Sequence, residues 1–331
     1  MKLKALFTAI VFSAVPAWSS EADHYTVPDE DIVDITVELN EHVNRLLAGE
    51  LDRLNAAGGC GGGETFFGGT DEERLYDGLK RLFNIHGRSV VVDDILDGRM
   101  ARTVIPLKES VYKDWDITSG IFLARSQLTL APNIKVGGLV IGVDKLEHMF
   151  GYGLRYFTRH YLEDMPMERV LWLGAASEKT YLGGNLAATG VFSYADLSAN
   201  FNGMRFWNHI LQKRDDILGR EYNLGPYVVC EAGNWKKAKP VDLSRYMDRT
   251  IQENYNCSKF ASESGLEKFR VSLGESAAKR GAPAAFTCPV SRGALEADAA
   301  KYAADIGGTT IDHWTINRDG SGTVSYTGEF R

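Results

Sequence analysis

Apolar residues recur at three- and four-residue intervals in several blocks of the chain. Ile32, Ile35, Leu39, Val43, Leu46 and Leu47 share one face of a 3.6-residue repeat and predict a helix over 29–57. A second amphipathic helix is expected over 70–85, opened by Thr70-Asp71 and followed by Gly87. Three helices are expected in the middle. One runs from Asp144 to about Leu162, one is opened by Pro166, and one runs from near Ser193 to about Leu218. Further helices are expected over 241–255, 261–280 and 291–305. RSVVVDDIL at 88–96 and RTVIPL at 102–107 read as extended or irregular, and 226–240, between Pro226 and Pro240, reads as loop. HWTINRDGSGTVSYTGEF at 313–330 alternates about Asp319-Gly320 and predicts a β-hairpin. The fold expected is mainly α (an α+β class), a helical body with small β elements and a C-terminal β-hairpin. The expected divisions are 1–19, 20–290 and 291–331.

The first nineteen residues change the picture by pointing to an expected place outside the cytoplasm. Lys2 and Lys4 precede the short apolar run ALFTAIVFSAV, and Ala17-Trp18-Ser19 offers small residues at the cleavage positions. A signal peptide ending at Ser19 and a periplasmic or secreted protein are expected. No later apolar stretch reaches the roughly 20 residues a bilayer span needs, so no stable membrane insertion is expected. Four cysteines, Cys60, Cys230, Cys257 and Cys288, then suggest disulfides, with at least one among the last three. Cys60 lies in the flexible stretch GGCGGGE and could reach a distant partner or be left over. The formal charge of −7 argues against a nucleic-acid partner.

Glu178 is the first candidate for chemistry. Leu171, Gly174 and Ala175 lie seven, four and three positions before it, so the carboxyl group falls on the apolar stripe of its helix. Desolvation there raises a carboxyl pKa and suits a general acid. The alternative is a buried structural carboxylate, paired with backbone, Lys179 or Arg155. Ser193-Tyr-Ala-Asp196 fits a helix-capping pattern. Yet Tyr194, Asp196 and Asn200 could also present polar groups to a cleft. Asp144 and His148 stand four apart, a spacing that can chelate a metal, but two ligands do not make a site. Neither a metal nor another cofactor is therefore expected. The aromatic residues around these segments, Tyr181 among them, could line a sugar groove. No GK[ST] follows the glycine-rich loop, GxSxG is absent, and no GxGxxG follows a strand.

Two resemblances rest on these residues. Asp144-Lys145…His148, Glu178 and Ser193…Asp196…Ala199-Asn200 resemble a family of uncharacterised exported bacterial proteins sharing these three pieces. The order of Glu178, TYLGGNLAAT and Gly190-Val-Phe-Ser193 entering a helix is loosely similar to the lysozyme-like superfamily, including goose-type lysozymes and soluble lytic transglycosylases. That second resemblance implies a lysozyme-like helical core and an exported enzyme cleaving peptidoglycan or another polysaccharide. It implies Glu178 as general acid, with Tyr194 or Asp196 stabilising charge. Tyr181, Ser193, Asn200 and His148 are then the expected substrate contacts. Two other classes stand beside it: a metal-dependent hydrolase using Asp144, His148, Glu178 and Asp196, and a non-catalytic envelope protein.

Overall fold

The structure is a computed structural model describing residues 20–61, 70–84, 89–116, 119, 130–179, 186, 189–281 and 288–324. The expected signal peptide, and Tyr181, lie outside them. The fold is mainly α with small β elements, as its periodicity predicts. Helix α1 spans Thr36–Ala56 and α2 spans Asp71–Phe83, the latter opened by a capping box between Thr70 and Glu73. A short helix, α3, covers Val90–Leu96. The predicted helix after Asp144 is a composite. It comprises α4 (Asp144–Glu147), a π-helical turn (His148–Tyr152), α5 (Gly153–Phe157) and a second π turn (Thr158–Leu162). Helix α6 spans Met167–Lys179, α7 Tyr194–Leu211, α8 Glu263–Lys279, α9 Arg292–Ala299 and α10 Ile311–Thr315. The described strands form two-stranded sheets. Short pairs join β1 (Glu21–Ala22) to β2 (Leu130–Ala131) and β5 (Val191–Phe192) to β8 (Lys259–Phe260). Antiparallel hairpins join β3 (Asn133–Val136) to β4 (Leu139–Gly142) and β6 (Val228–Glu231) to β7 (Asn234–Lys237).

Helix α7 is the axis of the molecule, with every residue from Tyr194 to Ile210 buried. It can be so because its neighbour comes unusually close. A Cβ at Gly203 would lie 2.1 Å from the Met149 carbonyl oxygen, and one at Gly153 would lie 2.6 Å from the Gly203 backbone. Two glycines thus let two helix backbones touch, which carries His148 to the level of Asp196 and Asn200. Gly203→Ala has no flexible side chain to displace. It is expected to cost at least about 2 kcal/mol, the range for overpacked cores, measurable as a lowered denaturation midpoint. An unchanged midpoint would mean that the helices can separate freely.

All four cysteines pair: Cys60 with Cys230, and Cys257 with Cys288. The second pair joins two of the three cysteines expected to bond, and Cys60 does reach a distant partner. This pairing fits an oxidising compartment. No described helix is long and apolar enough to cross a membrane.

Several local expectations are corrected. Val90–Leu96 is helical because Val91, Val92 and Ile95 all find core to bury against, which outweighs the strand preference of a valine run. The 226–240 loop holds the β6–β7 hairpin, turned by Ala232 and Gly233 at positive φ and pinned to the segment after α1 by Cys60–Cys230. Residues 241–255 give only two 3-10 turns, as Asp242 and Asp248 each cap the backbone two residues on. Helix α7 stops at Leu211 rather than Leu218. Gln212 adopts a left-handed conformation, and Asp216 turns back to neutralise the buried Arg205 at 2.8 Å. Among the described residues the C-terminal hairpin does not form as predicted. Residues 311–315 are helical, and past Gly320 the chain bridges through Thr323 to Phe260 in parallel. Residues 325–330 of that prediction lie outside the described residues. Leu295, Tyr302, Ile311 and Trp314 share one apolar core with Phe201 and Phe206 of α7.

Candidate functional site

Lys145 is fully buried, and three carboxylates surround its ammonium. Its Nζ lies 2.6 Å from Asp144 Oδ2, 2.5 Å from Asp196 Oδ1 and 2.6 Å from Glu253 Oε1. Burial opposes a charge there, but the three carboxylates hold Lys145 well above its ordinary pKa. The carboxylate oxygens of Asp144, Asp196 and Glu253 lie within 4.8 Å of one another, a spacing that could hold a metal. The Lys145 ammonium already fills the centre of that cage. Glu21, on β1, belongs to the same cluster. Its Oε1 accepts a hydrogen bond from the Thr189 hydroxyl at 2.7 Å. Burial first, then the charges of Glu253 and Asp196, raise its pKa strongly.

His148 continues the network towards the surface. Its Nε2 lies 3.1 Å from Asp196 Oδ2, and its Nδ1 lies 2.9 Å from Asn200 Oδ1. Burial works against the imidazolium, but Asp196 outweighs it and pushes His148 up to about 9. Asp196 is wholly buried, yet His148 and Lys145 together hold it far below the usual carboxylate range. Each of its oxygens has a cationic partner. The Tyr152 ring stacks on His148 with centroids 5.2 Å apart and planes 14° apart. Both residues lie in one π-helical turn, a distortion often found at functional sites.

Glu178 ends on the same cluster from α6. It is 3% exposed, and its Oε1 accepts the Ser193 backbone N–H at 3.3 Å. Burial first, then the nearby Asp196 charge, push its pKa up to about 8 against the pull of His148. The groups acting on it are thus Asp196, His148, the Ser193 backbone and Lys145; the backbone bond is one the structural alternative named, beside Lys179 or Arg155. Five buried carboxyl groups (Glu21, Asp144, Glu178, Asp196 and Glu253) face two cations, Lys145 and His148. Protons settle where cations are scarcest. Burial and the charges of Glu253 and Asp196 raise Glu21 well above the usual carboxylate range, Glu178 keeps its proton at neutral pH, and Glu253 is pushed up to about 7.

The sequence-derived residues fall close together. Glu178, Asp196, Asn200 and His148 meet in this cluster. Ser193 caps α7, its side chain accepting the Asp196 N–H at 3.1 Å, while its own N–H serves Glu178. The capping box is only half made, because the Asp196 carboxylate is engaged by Lys145 and His148. Tyr194 is 6% exposed, with its ring 5.1 Å from Phe192 and Lys259 Nζ 5.8 Å from its centroid. Asp144 does not cap α4; it binds Lys145, and Asp144 and His148 do not converge on one point. Sequence reasoning assigned no role to Lys145, Glu253 or Glu21. A lysine between Asp144 and the apolar positions Leu146, Met149 and Phe150 was the one available signal. Glu253 and Glu21 come from distant segments and left none. Compared with protein-family models, with curated proteins and with solved structures, the chain matches none.

Proposed function

We propose that this protein is an exported glycan-cleaving enzyme acting on peptidoglycan or a related polysaccharide, with Glu178 as general acid. The observation that carries this reading is a pair of neighbouring carboxyl groups whose environments drive their pKa values apart. Glu178 keeps its proton to about pH 8, while Asp196 stays ionised. Such a split assigns an acid and a charge stabiliser. Glycosidic cleavage needs both, a proton for the leaving oxygen and negative charge beside the oxocarbenium ion. Both Asp196 oxygens are engaged by Lys145 and His148, so this carboxylate stabilises charge and does not attack carbon. One acid without a nucleophilic partner suits attack by the sugar's own hydroxyl, the lytic transglycosylase outcome.

The test is incubation of the purified protein with peptidoglycan sacculi, followed by mass spectrometry of released fragments. Anhydro sugar ends are the expected result. Reducing ends would move the reading to a water-using hydrolase, and no released fragments would sink it.

A further inference from the structure

The buried cluster meets solvent at Tyr152. His148 is its most exposed charged member, at 8%, and the half-buried Tyr152 ring lies on it. On that ring sits the exposed Arg155, its guanidinium carbon 4.9 Å from the centroid. The Tyr152 hydroxyl shares a hydrogen bond with the Ser177 side chain, one residue before Glu178, and feels the Glu178 charge. Arg159, four positions after Arg155, is half-buried and lies near enough to Tyr156 to act on its hydroxyl. The Tyr156 hydroxyl in turn lies close enough to Asn200, the partner of His148, to have its pKa lowered by it against the larger effect of burial. Among the described residues neither Arg155 nor Arg159 enters an ion pair. Two uncompensated guanidinium groups on the outer side of an acid site are unexpected in a chain of net charge −7. Stacking on an aromatic face leaves the guanidinium edge free to bind an oxyanion through two parallel hydrogen bonds.

We propose that Arg155, with Arg159 one turn on, forms the mouth of the Glu178 site and selects substrates bearing oxyanion groups, either carboxylate or phosphate. The proposal rests on the glycan-cleaving reading above and names the substrate class for that site. Tyr152 fixes the guanidinium plane, so recognition is built on the helix that also carries His148. A neutral glycan of the same backbone lacks the group these residues bind.

The test compares wild type with Arg155→Gln, at an exposed position, and the Arg155→Gln/Arg159→Gln double variant. Binding is measured by co-sedimentation with three materials: sacculi stripped of wall polymers, the same sacculi with carboxyl groups amidated, and amidated walls retaining phosphodiester polymers. Wild type is expected to bind stripped sacculi about tenfold more tightly than their amidated form, the loss that follows removal of a charge-assisted contact. That preference should weaken with added salt. Retention on the phosphodiester walls would identify phosphate as a source of the oxyanion, and loss there would identify carboxylate. The double variant should bind stripped and amidated sacculi alike. In turnover, KM should rise about tenfold, with kcat within about twofold of wild type, because a charge-assisted contact made equally before and during the reaction is lost. If the double variant keeps the wild-type preference and salt dependence, the mouth is elsewhere and the proposal falls, even if Glu178 is catalytic. If instead Glu178→Gln leaves cleavage untouched, the acid assignment fails, while the binding comparison still decides for or against Arg155.

Discussion

Glu178→Gln is expected to lower sacculus cleavage by at least about a hundredfold, the lower range for general acid catalysis, while leaving the fold intact. The amide that replaces the carboxyl group keeps the size of the side chain and an acceptor for the Ser193 N–H, and lacks the acidic proton. The stability effect has a definite sign. In the unfolded chain Glu178 titrates near its ordinary 4.5, and in the folded protein near 8. Between those values the folded state binds the extra proton, so stability falls as pH rises through the window and levels off above it. The Gln variant lacks this dependence and should be at least as stable as wild type at about pH 8 and above. Wild-type activity should fall on the alkaline side as the proton leaves, with an apparent pKa near 8 that belongs to the coupled cluster rather than to one residue. Cleavage at the wild-type rate by a folded Gln variant would return Glu178 to a structural role.

Lys145→Met should have the largest effect on stability. The ammonium is the shared partner of Asp144, Asp196 and Glu253, and all four side chains are buried. Removing it leaves three carboxylates facing one another, with His148 on Asp196 as their one remaining partner in the cluster. Breaking a buried ion pair by deleting one partner costs about 3–5 kcal/mol, which in a chain of this size lowers the melting temperature by roughly 5–8 °C. The loss should be greatest near and above neutral pH, where Glu253 ionises at about 7, and smaller in acid. Adding Asp196→Asn and Glu253→Gln should recover part of it, because those two groups are then neutral. Thermal melts of the single and triple variants across pH decide the matter. A single variant as stable as wild type in mildly alkaline buffer would show that the lysine does not neutralise the cage.

These two experiments also separate what the candidate residues do. Asp196 lies in both arguments, since it stabilises charge beside Glu178 and holds Lys145 and His148 in place. Its depressed pKa supplies stability above its ordinary value, and that stability is lost as pH falls through the folded value. Asp196→Asn therefore mixes lost activity with lost stability, and it is a poorer probe of catalysis than Glu178→Gln.

Helix phase alone put Glu178 on the buried stripe with Leu171, Gly174 and Ala175, and the structure keeps it there. The sequence also marked the starts of α2 and α7, through Thr70 and Ser193, because capping is settled between residues a few positions apart. The even cysteine count implied pairing, but which cysteine met which depended on where the β6–β7 hairpin folds against α1. Elements governed by packing were misread, as with the valine run of α3, whose helix exists because its side chains find core on one face. The Lys145 cage left almost no mark in the sequence beyond a lysine set among apolar positions, for a related reason. Its ligands come from positions 144, 196 and 253, and a lysine's ordinary place is in water. Local sequence records the periodicity and the caps, whereas compensation of buried charge is a long-range balance. It was fixed only in three dimensions, where Gly153 and Gly203 let two helix backbones meet and carboxylates from three segments surround one ammonium.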